Sequence, residues 1–336
     1  MPSRERELTE PVTLTEPGGR LNPAAVGWAR THLVDTAGVG RGLRGRGRNK
    51  RWEYWNVITP THILALTVSR IDYATVSDVW VLDRATEAVR TKNATLIPPR
   101  GVELPPGLGA GPARARAKDF RIDVEPDAGV TRLRAEIPGA AFDVEVRRPE
   151  GWELLAVVVP FGHPLRFQYT VKDVALPASG SVVFDGVRHE IPAGASWGVL
   201  DHGRGRWPYD VSWNWGAGSG VSRGRTIGLQ VGGQWTDGTG VTENGVIVDG
   251  RLHKIHDELT WDYDLGDWRR PWRVRGGGLD AELRPSFPKR SATNLGVLTS
   301  RTLQCFGTWH GTYRDDEVDI AFDDLVGFAE DVHNRW

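Results

Sequence analysis

From Trp52 onward apolar and polar residues alternate in short β-branched runs, first in WNVITPTHILALTVSRIDYATVSDVWVLD and again in FRIDVEP, TRLRAEI and FDVEVRR. A two-residue period sends successive side chains to opposite faces, so these runs read as half-buried strands. The continuous apolar run LLAVVVP has strand length and ends at Pro160. Further strands are predicted in RFQYTVKDVAL, RTIGLQVGG, WRVRGGGLDAELRPS and TLQCFGTWHGTYR. Residues 101–118 are rich in Pro and Gly without periodicity and read as a loop, and the first twenty residues read as a surface arm. Only the segment Pro23–Thr31 and the C-terminal DDLVGFAEDVHNRW carry helix-like spacing. The fold class is therefore all-β with a few short helices.

One pattern occurs twice. Residues 182–191 read VVFDGVRHEI and residues 246–255 read VIVDGRLHKI, followed at equal offsets by Trp197 and Trp261. Strand, Asp-Gly, strand is a hairpin signal, because Asp and Gly accept the positive φ values of a type I′ turn. Two such hairpins predict two related β domains, with the boundary between residues 190 and 225; the division taken is 1–200 and 201–336.

Composition narrows the function classes. A chain of 336 residues suits two domains, and 41 Gly with 15 Trp favours strands and tight turns. A net charge of −1 predicts no nucleic-acid partner. The lone Cys305 excludes an internal disulfide. With neither an apolar leader nor a run of spanning length, the expectation is a cytoplasmic protein without a transmembrane segment; peripheral membrane contact stays open.

Two motifs invite other readings. Gly40, Gly42 and Gly45 match dinucleotide-loop spacing, but that loop must follow a buried strand and open a helix, and the flanks here are TAGV and an Arg-rich run. No cofactor is predicted. The Arg-rich loop 41–51 reads as a solvated basic loop, with anion binding as the alternative. His253 and His256 sit at i and i+3, which on a strand point to opposite faces, so no metal site is predicted.

The densest polar-aromatic stretch is LDHGRGRWPYDVSWNWGAGSG. Alternation puts Trp213 and Trp215 on one face as an apolar wall and Asn214 on the other, with Asp201 and His202 in a Gly-flanked loop before them. An acid beside indole π faces could donate a proton and shelter a developing cation. The candidate site is Asp201 as acid, His202 as its hydrogen-bond partner, Trp207, Trp213 and Trp215 as walls, and Tyr209 and Asn214 as polar contacts. Trp235 and Glu243 would complete it from the second domain. The bland alternative is a turn-forming Asp201, a His202 that satisfies the backbone, and tryptophans that only fill cores.

The motifs GRLNPAAVGW, WEYWNV, DHGRGRWPYDVSWNWGAGSG, ENGVIVDGRLHKI, QCFGTWHG and DDLVGFAEDVHNRW resemble an uncharacterised bacterial domain family across nearly the whole chain. More distantly, GSVVFDGVRHEIPAGASWGVLDHGRGRW is similar to the double-lipocalin superfamily of carotenoid hydratases, to which tocopherol cyclases and lipocalin-like Diels–Alderases are similar. That resemblance implies two lipocalin-like antiparallel barrels or sandwiches in tandem, with a ligand pocket at or near their junction. It implies a hydrophobic or isoprenoid-like small-molecule ligand and acid-assisted hydration or cyclisation, with Asp201 at the acidic position. The Gly203-Arg204-Gly205-Arg206 insertion departs from the hydratase pattern, and its arginines either face an anion at the pocket mouth or solvent. A non-catalytic carrier of lipid or another small molecule and a carbohydrate-active protein are the competing readings.

Overall fold

The computed structural model describes residues 5–41, 45–294 and 299–335. Among these residues the fold is nearly all-β, 65% strand and 1% helix, arranged as two curled antiparallel half-barrel sheets, one of 14 strands and one of nine, with a two-stranded parallel pair at the N-terminal arm. This is the architecture of tandem lipocalin-like domains. The chain passes from the first sheet to the second over residues 207–209, between strands Trp197–Arg206 and Asp210–Ser222. No helix among the described residues is long and apolar enough to cross a membrane.

Both copies of the repeated pattern are hairpins. Asp185 and Gly186 turn at φ 49° and 82°, and Asp249 and Gly250 at 49° and 87°, the left-handed pair a type I′ turn requires. Their surroundings differ. The first tip is held by an ion pair between Asp185 and Arg90. The second docks on the first half of the chain, where Glu153 N donates to Gly250 O at 2.8 Å and Glu153 Oε2 accepts from Leu252 N at 2.7 Å.

Three of the four apolar clusters follow from this layout, the fourth lying beneath the N-terminal arm around Leu14, Val34 and Phe167. Trp55, Val124, Val146 and Leu200 fill the first curl, and Leu229, Trp272, Trp309 and Phe322 fill the second. Between the sheets lie Ile63, Trp80, Val199, Trp215, Phe306 and Phe328. Strands with a core on each side lose the apolar-polar alternation, and Trp197–Arg206 is buried at nine of its ten positions.

Both helix expectations fall for that reason. At Pro23–Thr31 only a short 3₁₀ turn, Pro23–Ala25, forms before strand Gly27–Ala29. The C-terminal stretch belongs to strand Asp319–Arg335, paired on both sides within the second sheet. Leu325 and Ala329 face the second curl while Val326 and Phe328 face the junction, and apolar residues on both faces mimic helical spacing. Gly45–Arg48 turns directly into strand Asn49–Ile58 rather than a helix, while Gly42 and the rest of 42–44 in the Arg-rich loop lie outside the described residues.

The repeat yields a paired test. An added Cβ at Gly186 meets nothing within 4 Å, whereas at Gly250 it stands 2.7 Å from the Trp152 ring. Gly186→Ala should lose only the left-handed backbone preference, ~1–2 kcal/mol, and Gly250→Ala more, read by denaturant unfolding. Equal losses would contradict the docking of the second hairpin.

Candidate functional site

Strand register builds the junction from two facing rows. Across the first sheet Lys172, Asp201, Tyr54, Thr67 and Asp78 align side by side. Across the second, Trp215, Glu330, Gln304 and Lys289 do the same. The rows meet at three places: Lys172 Nζ lies 3.8 Å from the Trp215 ring centroid, Gln304 Nε2 is 3.4 Å from the Tyr54 hydroxyl, and Lys289 Nζ is 4.0 Å from Asp78 Oδ1. On one side the junction closes over aromatic packing, with Trp80 stacked on Phe306 at 5.5 Å and Trp215 edge-on to Phe328 at 4.8 Å. On the other side it opens: along strand Ala74–Asp83, Trp80 is buried, Asp78 partly exposed and Val76 39% exposed.

Lys172 is 6% exposed and holds the row together. Its ammonium lies 3.2 Å from Asp201 Oδ1 and 3.5 Å from Glu243 Oε2. Burial alone would depress its pKa, but Asp201 and Glu243 outweigh burial and hold it above the ordinary lysine value. Asp201 also accepts from Trp52 Nε1 at 2.9 Å and Thr170 Oγ1 at 2.8 Å. Glu243 accepts from Trp235 Nε1 at 2.6 Å, and burial raises its pKa against the pull of Lys172.

Two ammonium groups, Lys172 and Lys289, thus serve four carboxyls, Asp201, Glu243, Glu330 and Asp78. Glu330 reflects the imbalance. Burial lifts its pKa to about 7 despite a 2.9 Å bond from Trp213 Nε1 and the charges of Lys172 and Lys289. Gln304 Nε2 donates to its other oxygen at 3.0 Å. A carboxyl that still carries its proton near neutrality, set among indoles, is equipped as a proton donor.

Of the residues singled out in the sequence, Asp201, Trp207, Trp213, Trp215, Trp235 and Glu243 come together here. Trp207 stacks on Trp235 at 5.5 Å and 16°, and meets Trp213 and Trp52 edge-on. Every one of these indole N–H groups has a polar partner: Gln168 for Trp207, Glu330 for Trp213, Gln230 for Trp215 and Glu243 for Trp235. The wall is therefore an interlocked cluster rather than a flat Trp213–Trp215 sheet.

Three candidates lie elsewhere. Asp201 and His202 are not in a loop but in strand Trp197–Arg206, so His202 points to the opposite face and does not bond Asp201. There it is fully buried, 3.4 Å from Glu53 Oε1, and burial with nearby Arg204 pushes its pKa down to about 4. Asn214 bonds the Tyr263 hydroxyl at 3.0 Å on the far face of its strand. Tyr209 sits in the connection between sheets, 40% exposed, with the Arg335 guanidinium 5.8 Å from its ring. His253, in strand Arg251–Ile255, lies against Asp315, and His256, just past the end of that strand, lies near Glu5.

Gly203-Arg204-Gly205-Arg206 has a structural explanation. Gly203 and Gly205 face the junction, and a Cβ on Gly203 would lie 2.1 Å from the Trp52 ring, one on Gly205 2.1 Å from Gln168 Oε1. Arg204 and Arg206 point the other way. Both are completely buried, Arg204 on the carbonyls of Trp52, Gly203 and Pro105, Arg206 on Asn49 and the carbonyl of Gly19, so they neither line a pocket mouth nor meet solvent. Lys172 and Glu330 went unnoticed in the sequence. The signal for Lys172 is an adjacent Lys172-Asp173 pair inside the otherwise apolar strand QYTVKDVAL; Glu330 is hidden in a stretch with helical spacing.

The family described as "Domain of unknown function (DUF2804)" matches residues 5–336. No curated protein matches the chain. Among solved structures, kievitone hydratase from Nectria haematococca superposes with a TM-score of 0.53 at 11% identity, over 89% of this chain and 93% of that one. CghA does so with a TM-score of 0.51 at 12% identity, over 86% and 88%. At such identities the likeness is one of fold.

Two stability measurements test the site. Lys172→Met leaves Asp201 and Glu243 without their shared cation and should cost ~3–5 kcal/mol, read by urea unfolding. Glu330 binds a proton more tightly folded, about 7, than at its ordinary 4.5, so its contribution to stability is present at low pH and lost as pH rises through about 7. Glu330→Gln should flatten the pH dependence over that window; an unchanged slope would contradict the assignment.

Proposed function

From a chain that belongs to the DUF2804 family, whose description assigns no activity, the function has to be read from the junction itself, and we propose that the protein binds a largely apolar, unsaturated small molecule there and catalyses its acid-assisted hydration or cyclisation. The observation that carries this reading is Glu330, a buried carboxyl held by Trp213 and Gln304 beside Tyr54, whose pKa burial pushes up to about 7. The ligand approaches from the open side and lies between Trp52, Tyr54 and Trp213, all of them only partly buried.

Glu330 gives its proton to one carbon of a double bond, forming a C–H bond and leaving a cation on the other carbon. The indole faces stabilise that cation. Water, or a nucleophile within the ligand, forms the second bond, and its surplus proton passes to Asp201. Lys172 is a positioning residue that keeps Asp201 and Glu243 in place. This moves the acid role from Asp201 to Glu330 and leaves Asp201 as proton acceptor. The fold likeness to a protein named as a hydratase agrees with this reading without carrying it. The single, buried Cys305 suits a reducing compartment, and the reading places the protein in the cytoplasm.

Native mass spectrometry and extraction of co-purified ligand, followed by turnover assays on unsaturated isoprenoid-like compounds, test the proposal. Glu330→Gln should retain ligand while turnover falls by ~10²-fold or more. Retention of ligand by the wild-type protein without any turnover would make it a carrier, and a polar glycan as ligand would favour a carbohydrate-active protein.

A further inference from the structure

The first curl holds a cavity of about 240 Å³ on the opposite side of the sheet from Asp201. Leu200 and Glu53 line it, while their chain neighbours Asp201 and Tyr54 face the junction. Trp55, Val124, Val146 and Leu176 form an apolar wall, and Thr131 stands partly exposed within the lining.

The polar groups are unevenly satisfied. Arg148 is ion-paired with Asp173, so it offers an anion no uncompensated charge. Glu53 is only 4% exposed, and its nearest cationic or ionisable neighbours are His202 Nδ1 at 3.4 Å and Arg204 Nη2 at 3.9 Å. Beyond the contact of its Nδ1 with Glu53, His202 has no hydrogen-bond partner at Nε2, and Arg204 Nε also lacks one. A carboxylate accepts up to about four hydrogen bonds, so the Glu53 carboxylate at the cavity wall retains capacity for a donor.

We propose that this cavity is a second ligand site, separate from the junction, which takes a compact apolar molecule whose hydrogen-bond-donating head, a hydroxyl or an ammonium, sits on Glu53. Its volume falls below the ~300–1,000 Å³ of drug-sized pockets, which limits the occupant to a fragment-sized molecule such as a phenylalkyl alcohol or amine. The absence of an uncompensated cation on the wall selects against a carboxylate head.

Ligand-observed NMR on the full chain with 2-phenylethanol and 2-phenylethylamine as probes, and phenylacetate as the anionic control, tests the site. The alcohol and the amine should bind and phenylacetate should not. A stronger amine identifies an ammonium ligand, a stronger alcohol a hydroxyl ligand. Thr131→Trp fills the lining from a partly exposed position and should abolish binding, while Glu53→Gln should weaken the amine roughly tenfold or more. Methyl shifts of Leu176, Leu200 and Val146 in the wild-type protein locate the probe without relying on either variant. Binding of neither probe, or shifts confined to junction residues, would overturn the proposal.

Discussion

The ammonium of Lys172, buried between two sheets, is the interaction on which the junction depends. It comes from the first sheet, pairs with Asp201 on the neighbouring strand, reaches Glu243 immediately before the second hairpin's first strand, and lies on the face of Trp215 in the second sheet. A charge this deep is costly unless paired, and pairing it fixes the distance and register between the two curls. The aromatic floor beneath it is apolar packing that other residues could supply. The charge row cannot be replaced piecemeal, since removing one member leaves the others buried and uncompensated.

On the proposed function, the same row also supplies the proton donor. Four carboxyls around two ammonium groups cannot all ionise in a buried space, so the group with the least compensation keeps its proton. That group is Glu330, whose oxygens are held by Trp213 and Gln304 rather than by a cation within bonding distance. Because strands alternate, each strand that builds the junction also builds a curl: Asp201 faces one way and Leu200 the other. Two sheets so joined bring the charge row between them and leave a cavity within the first curl.

Much of this was legible in the chain. The Asp-Gly pairs specified their turns because few residues accept left-handed backbone, and the short alternating runs specified strands. Trp213 and Asn214 were correctly set on opposite faces by alternation. The same rule separates Asp201 from His202, but the glycines around them suggested a loop, whereas Gly203 and Gly205 are there to admit Trp52 and Gln168. The C-terminal strand and Glu330 within it were illegible because apolar residues on two faces imitate a helix. Tertiary burial on both sides, which no local pattern reports, decided those cases.

The most direct test of the account is a ¹³C-carboxyl NMR titration of Glu330 in the native protein. A midpoint at about 7 would establish a proton-carrying acid at the junction. A midpoint at or below the ordinary value of 4.5 would contradict it.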